Sequence, residues 1–266
     1  MTKPEAIWLI ALSGLFTAWA SAGEGEWTRP FAAACGPVDA SRLQRNIDDQ
    51  IKALKVVVVH EDVERYSRSR GVQRRIDSLD AVAEVIDGVE TYANVKQNGQ
   101  QIPHATQITG TWSFGELPAF LQASREALGK VATNNFCPVA DGDGLLSSAS
   151  FHFNADSQRW FVTVDSKLYW LDFSGEIRIS PATGQVASIR WTSGEPPAAT
   201  GIAKIVWTVY FKPAEVYGRT YVLPDKAEYR VVHRGDWVDW NITRFDVVGR
   251  YGAQVSVNFG SNFGSK

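Results

Sequence analysis

From Phe151 onward the chain is a succession of short β-branched and aromatic runs, each closed by turn chemistry, and a sequence written this way has no room for a helical core. The runs are Ala149–Asn154, Arg159–Asp165, Leu168–Phe173, Gly175–Ile179, Val186–Trp191, Ile202–Phe211, Arg219–Leu223, Ala227–His233, Val238–Val247 and Gln254–Phe259. Pro181-Ala182-Thr183-Gly184 and Gly235-Asp236 stand between consecutive runs and supply backbone conformations that strands do not use. Gly194–Gly201, with Pro196-Pro197, is a long loop, because strands of similar character flank it. Such spacing predicts an antiparallel sheet curled into a barrel, half-barrel or sandwich.

The first half of the chain mixes periods. Leu43, Ile47, Ile51 and Leu54 recur on one face of a helix expected over Val38–Leu54, with Ser41 and Gln44 at capping-box spacing. Lys55–Tyr66 then reads as a valine-rich strand. Asp87-Gly88 separates Leu79–Ile86 from Val89–Val95, and Asn98-Gly99 follows; both dipeptides favour the left-handed positions of tight hairpins. Apolar and polar residues alternate around them, which is the pattern of a sheet with one dry face. A second helix is expected over the stripe Leu117, Phe120, Leu121 and Leu128, with Ser113 and Glu116 as its capping pair and Pro118 early in it. Ala140–Ser148 reads as a polar loop.

At the N-terminus, Lys3 precedes an apolar run over Ile7–Ala18, then two small-x-small sites ending at Ala20 and Ala22, then Gly23-Glu24-Gly25-Glu26. This order is that of a secretory signal peptide, and the run is shorter than the ~18 residues that span a bilayer. Export to the periplasm or envelope follows, with residues 1–22 as the signal and 23–266 as one β-rich domain. No later segment is apolar enough to cross a membrane as a helix. Cys35 and Cys137 are the only cysteines of a chain bound for an oxidising compartment, so they either form one disulfide or remain two buried thiols. A net charge of −2 leaves no electrostatic footprint for nucleic acid.

The hairpin Gly175-Glu-Ile-Arg-Ile-Ser-Pro-Ala-Thr-Gly-Gln-Val-Ala-Ser-Ile-Arg190 resembles a strand–turn–strand element of the periplasmic lipoprotein carriers (the LolA/LolB type) and their relatives. Ser113-Phe114-Gly115 and Tyr221-Val222-Leu223-Pro224 are similar to segments of uncharacterised exported bacterial proteins with the same layout. The order of signal, helix, valine strand, meander, short helix and many strands resembles that group over most of the mature chain. The resemblance implies an unclosed barrel whose helices form a lid over an apolar cavity suited to acyl chains. No functional residue of the carriers maps onto a position here.

Chemical motifs are scarce. His60-Glu61 begins a zinc-protease signature, but Glu64 stands where the second histidine belongs, and the stretch is a strand. Asp141-Gly142-Asp143-Gly144 lacks the downstream acids of a calcium loop. No nucleophile elbow or phosphate-binding glycine loop is present, so neither catalytic residue, metal nor cofactor is assigned. Arg65, Arg68, Arg70, Arg74 and Arg75 crowd eleven residues and read either as a patch for an anionic headgroup or acidic partner, or as a solvated strand end and loop. Trp160, Trp191, Trp207 and Trp240 fall in expected strands, with Trp207 on one face with Ile205, Val209 and Phe211. They read as core, as the lining of an apolar cavity, or as a sugar-stacking platform.

Together these readings give a mainly β, α+β fold: a curved antiparallel sheet, an open half-barrel of about ten strands, with two covering helices. The expected function is non-enzymatic binding of a lipid, acyl chain or lipoprotein. The expected lining is Val57, Val59, Trp160, Trp191, Trp207 and Phe211, and the lid residues are Ile47, Ile51, Leu117, Phe120 and Leu121. A carbohydrate-binding or scaffold module using exposed tryptophans is the alternative. An outer-membrane barrel would need an outward apolar band all round, and the two helices argue against it.

Overall fold

The computed structural model describes most residues between 36 and 250; residues 1–35, 111–120, 127–134 and 251–266, together with several shorter stretches, lie outside the description. The Gln254–Phe259 run therefore falls outside it. The first complete helix is α1 (Ala40–Leu54). It starts two residues later than expected, because Asp39 is the cap: its side chain accepts a hydrogen bond from Arg42 N at 3.0 Å. The Ser41–Gln44 pair is not used, since Ser41 already lies inside the helix.

Fourteen strands follow the chain among the described residues: β1 (Gly36–Pro37), β2 (Val57–Ser69), β3 (Val72–Ile86), β4 (Val89–Gln97), β5 (Gln100–Gln101), β6 (Asn135–Asp141), β7 (Gly144–Phe153), β8 (Phe161–Val164), β9 (Lys167–Trp170), β10 (Phe173–Ile179), β11 (Val186–Ser193), β12 (Ile202–Val216), β13 (Arg219–His233) and β14 (Trp237–Arg250). Twelve of them form one sheet in the order β1-β6-β7-β10-β11-β12-β13-β14-β2-β3-β4-β5, and the ladders between neighbours are antiparallel. The sheet is open, with β1 at one edge and β5 at the other. β8 and β9 form a separate two-stranded hairpin.

Three local expectations change. Ala140–Ser148 is not a loop: β6 runs to Asp141, β7 resumes at Gly144, and Asp141 pairs with Gly144, so the two ends of the acidic glycine motif are strand ends. Arg219–Leu223 and Ala227–His233 are one strand, β13. The ladder shifts register where Phe211 pairs with Pro224 and Tyr210 with Lys226, leaving Asp225 extra, and a bulge tolerates the proline that otherwise breaks pairing. The arginine stretch is not a loop either. Arg70-Gly71, with φ of 50° and 77°, makes the turn of a hairpin in which Ser69 faces Val72, so Arg74 and Arg75 stand in β3.

Alternation is cleanest in β2, where Val57, Val59, Glu61, Val63, Arg65 and Ser67 are buried and the intervening residues are half-buried. The buried set defines an inner face, continuous through cross-strand pairs such as Trp191–Trp207, Trp207–Tyr229 and Val63–Leu79. α1 lies on that face. It contacts β13 and β2, while Arg42 Nη2 and Asn46 Nδ2 donate to the carbonyls of Ala182 and Thr183 in the β10–β11 turn at 2.8 and 3.1 Å. The sheet thus curls around the helix.

The second helix is only partly described. Leu121, Gln122, Arg125 and Glu126 are helical, Leu121 is fully buried in the main core, and Arg125 pairs with Asp48 of α1 at 2.7 Å. No helix among the described residues is long and apolar enough to cross a membrane.

Candidate functional site

The inner face has three zones. The first is aromatic. Trp191 of β11 is 1% exposed and has Phe151, Trp160, Phe153 and Phe173 around it at ring-centroid distances of 4.9, 5.1, 5.5 and 6.3 Å. Trp160 comes from the connection before β8, not from a strand of the main sheet. Gly175 of β10 pairs with both Phe151 and Trp191, and a Cβ there would sit 2.1 Å from Phe151 Cε2. The missing side chain is what lets the Phe151 ring lie flat on the strand. This zone is filled, as aromatic rings at edge and stacked contact are expected to be.

The second zone lies under α1. Leu43, Ile47 and Leu54 are buried and Ile51 partly so, in one cluster with Val57 and Val59 of β2, Val209 and Phe211 of β12, and Ala227 and Val231 of β13. The facing residues named on β2 and β13 are small or β-branched, while Phe211 of β12 and Phe245 of β14 add rings to the same cluster. Gln50 carries the one buried polar side chain of α1, and its Oε1 accepts from Val186 N at 3.2 Å.

The third zone is a polar seam between the main core and a smaller cluster of Val63, Leu79, Ala81, Val95 and Ile108. Arg65 Nε donates to Asp77 Oδ1 at 2.6 Å, and Gln97 Nε2 donates to Asp77 Oδ2 at 2.7 Å. Burial pushes the Asp77 carboxyl up, but the Arg65 and Gln97 hydrogen bonds and the positive charge of Arg65 outweigh it, and the net shift is down. Further along the seam, Trp237 Nε1 donates to Ser67 Oγ and Asp239 Oδ1, both at 2.8 Å, and His233 Nε2 is 3.1 Å from Asp239 Oδ2. The His233 and Trp237 rings stack at 4.1 Å. Among the described residues no serine hydroxyl is hydrogen-bonded to this histidine, and the cluster joins the ends of β13, β14 and β2.

The expected site residues scatter over these zones. Trp191, Trp207 and Trp160 belong to the filled aromatic zone, while Val57, Val59 and Phe211 share the core with α1. Ile47, Ile51 and Leu121 cover it; Leu117 and Phe120 lie outside the described residues. The arginines separate by strand parity: Arg65 is buried in the inner seam, Arg68 faces out, Arg70 is in the turn, Arg74 is exposed, and Arg75 reaches Glu64 at 3.5 Å. Alternation along β2 and β3 allowed no single patch. Cys137 lies in β6 and is half-buried, and Cys35 lies outside the described residues, of which none is a free cysteine.

His60 and Glu61 point to opposite faces, as neighbours in a strand must, and His60 Nε2 is 2.8 Å from Asp80 Oδ2. Among the described residues no group of three His, Cys, Asp or Glu side chains is placed to hold a metal ion. Trp240 is also buried, and only Trp237, 44% exposed, stands out among the described tryptophans, so they offer no coplanar platform. Sequence reasoning missed Gly175 and the Asp239–Trp237–His233 seam. The alternation Trp237, Asp239, Asn241 in one strand carries a signal for the seam, but only the register with β2 shows what it meets.

No protein-family model matches this chain, and a search of curated proteins gives no match. Among solved structures it is similar to a LolA superfamily protein from Nitrosomonas europaea, with 9% identity over 79% of this chain and 92% of that one, at a TM-score of 0.28. It is also similar to a DUF1329 family protein from Desulfovibrio piger, with 9% identity over 79% and 91% of the two chains and a TM-score of 0.29. The functional reading rests on this chain's own geometry.

Proposed function

We propose that this chain is an exported protein of the bacterial periplasm or envelope that holds a hydrophobic or lipid-bearing ligand between α1 and the inner face of the open sheet, without chemistry of its own. One observation carries the reading. The inner face of an unclosed sheet is apolar across its middle strands, and its cover is a helix held to the β10–β11 hairpin, among the described residues, by three polar side chains, Arg42, Asn46 and Gln50. An amphipathic helix on an apolar surface gains nearly the same burial from an acyl chain slid beneath it, because the hydrophobic effect is non-directional. A filled aromatic zone beside that surface gives the ligand a fixed wall.

The reading narrows the lining to Val57, Val59, Phe211 and their neighbours under α1, and assigns Trp160, Trp191 and Trp207 to the wall. Ile47, Ile51 and Leu121 form the cover. We further propose that Cys35 and Cys137 are joined, because the register of the antiparallel pairs Gly36–Phe136 and Pro37–Asn135, continued by one residue, would set those two positions opposite each other. Directly opposed residues of an antiparallel pair stand ~4.5–5.5 Å apart at Cα, within disulfide range.

The test is mass spectrometry of the exported protein purified from its own host, first native, then denatured. Lipid or acyl masses released in near-stoichiometric amounts are the expected result. A clean apoprotein that also fails to take up a fluorescent fatty acid would remove the reading.

A further inference from the structure

Several charged side chains on the outer face pair across or along strands: Glu176 with Arg178, Lys226 with Glu228, Glu64 with Arg75 and Arg244, and Asp80 with His60 and Lys96. Two neighbouring guanidinium groups do not. Among the described residues, Arg68 of β2 and Arg230 of β13 have no ion pair or hydrogen bond with a side chain, and Arg230 Nε is buried without a partner. Register fixes both on the outer face. Arg230 is opposite Trp240, Trp240 is opposite Tyr66, and Arg68 follows Tyr66 by two residues.

The floor between them is built. The Trp240 and Tyr66 rings stack with centroids 5.4 Å apart, and Trp240 is 5% exposed. Arg230 is half-buried, and its Nε is buried without an acceptor. Burial lowers the Arg230 pKa, and the positive charge of Arg68 lowers it further, so the two guanidinium groups are near enough to repel. Exposed Lys204 of β12 closes the row that runs through Val232 and Val238 to Arg68.

A half-buried guanidinium with a like charge beside it and no carboxylate is unfavourable until an anion joins it. Arginine forks match tetrahedral oxyanions with paired N–H donors, and a dianion answers two or three cations better than a single carboxylate does. We propose that Arg68 and Arg230, with Lys204 at the rim, form a binding site for a phosphate group, carried either by a soluble compound or by a lipid headgroup. The site is on the opposite face from the apolar surface under α1 and does not depend on that reading.

The experiment measures thermal unfolding of the full exported chain in inorganic phosphate against chloride at matched ionic strength, for wild type, Arg68→Gln and Arg70→Gln. Arg70 sits in the exposed turn and controls for loss of one surface charge. Phosphate is expected to raise the Tm of wild type and of Arg70→Gln. Arg68→Gln is expected to start higher than wild type in chloride, because a repulsion is gone, and to need roughly tenfold more phosphate for the same shift. Vesicles of phosphatidylcholine with and without phosphatidic acid then separate the sources: co-sedimentation lost in Arg68→Gln assigns a headgroup, and its absence beside a phosphate shift assigns a soluble phosphate. Equal shifts in phosphate and chloride, or equal losses in both variants, would overturn the proposal.

Discussion

Gly175 shows how much one absent side chain can position. Its strand neighbours on either side are Phe151 and Trp191, and the Phe151 ring occupies the space a Cβ would take. Gly175→Ala is expected to destabilise the protein by about 1–3 kcal/mol through overpacking. Trp191→Ala removes the ring that four others touch and is expected to cost about 3–5 kcal/mol. Urea unfolding of both variants checks these values. Asp77 adds a pH dependence. Its folded pKa is depressed, so its contribution is complete above the unfolded carboxylate value of ~3.9 and is lost as pH falls through the folded value. Asp77→Asn should flatten the acid limb of the stability curve and remove the buried carboxylate that faces Arg65, at a cost of about 3–5 kcal/mol at neutral pH. The tryptophan-rich strands were legible in sequence as core or cavity wall. The role of Gly175 was not, because a glycine in a strand pattern says only that something approaches closely, and pairing decides what.

At the scale of elements, α1 carries most of the account. Its apolar stripe is legible because Leu43, Ile47, Ile51 and Leu54 repeat with the helix period. Its anchors are not, since Arg42 and Asn46 read as solvent-facing positions until the β10–β11 turn is placed against them. Removing both anchors, Arg42→Ala with Asn46→Ala, should leave unfolding free energy within about 1–2 kcal/mol of wild type. It should at the same time speed uptake of a hydrophobic dye, measured by stopped-flow fluorescence. Slower or unchanged uptake would mean that the helix is not the cover that moves. Strands defined by alternation were likewise legible, while β13 appeared broken because Pro224 and Asp225 look like a turn until the opposing bulge accommodates them. The arginine cluster failed as a unit for the same reason. A strand distributes neighbours to opposite faces, so five guanidinium groups close in sequence became one buried ion pair, one unpaired outer group, one turn residue, one exposed strand residue and one cross-strand pair.

At the scale of the molecule, the sheet is long and open, and α1 lies on its inner face. One edge is the short β5, and the other is β1, which sits beside Cys137 through its pairing with β6. A Cys35–Cys137 bond would pin that edge and close a loop on the order of 100 residues, for which chain entropy gives about 4–5 kcal/mol. The exported protein should therefore resist alkylation until reduced, then take two alkyl groups and unfold at lower denaturant. The central claim is that an acyl chain slides between α1 and the sheet, against a wall of tryptophans. Titration with a fatty acid brominated along its chain tests it most directly, because bromine quenches indole fluorescence only near contact. The account predicts saturable quenching of the buried tryptophans at roughly one ligand per chain, with an unbrominated fatty acid competing. Quenching that is absent, or that rises without saturation and ignores the competitor, would contradict it.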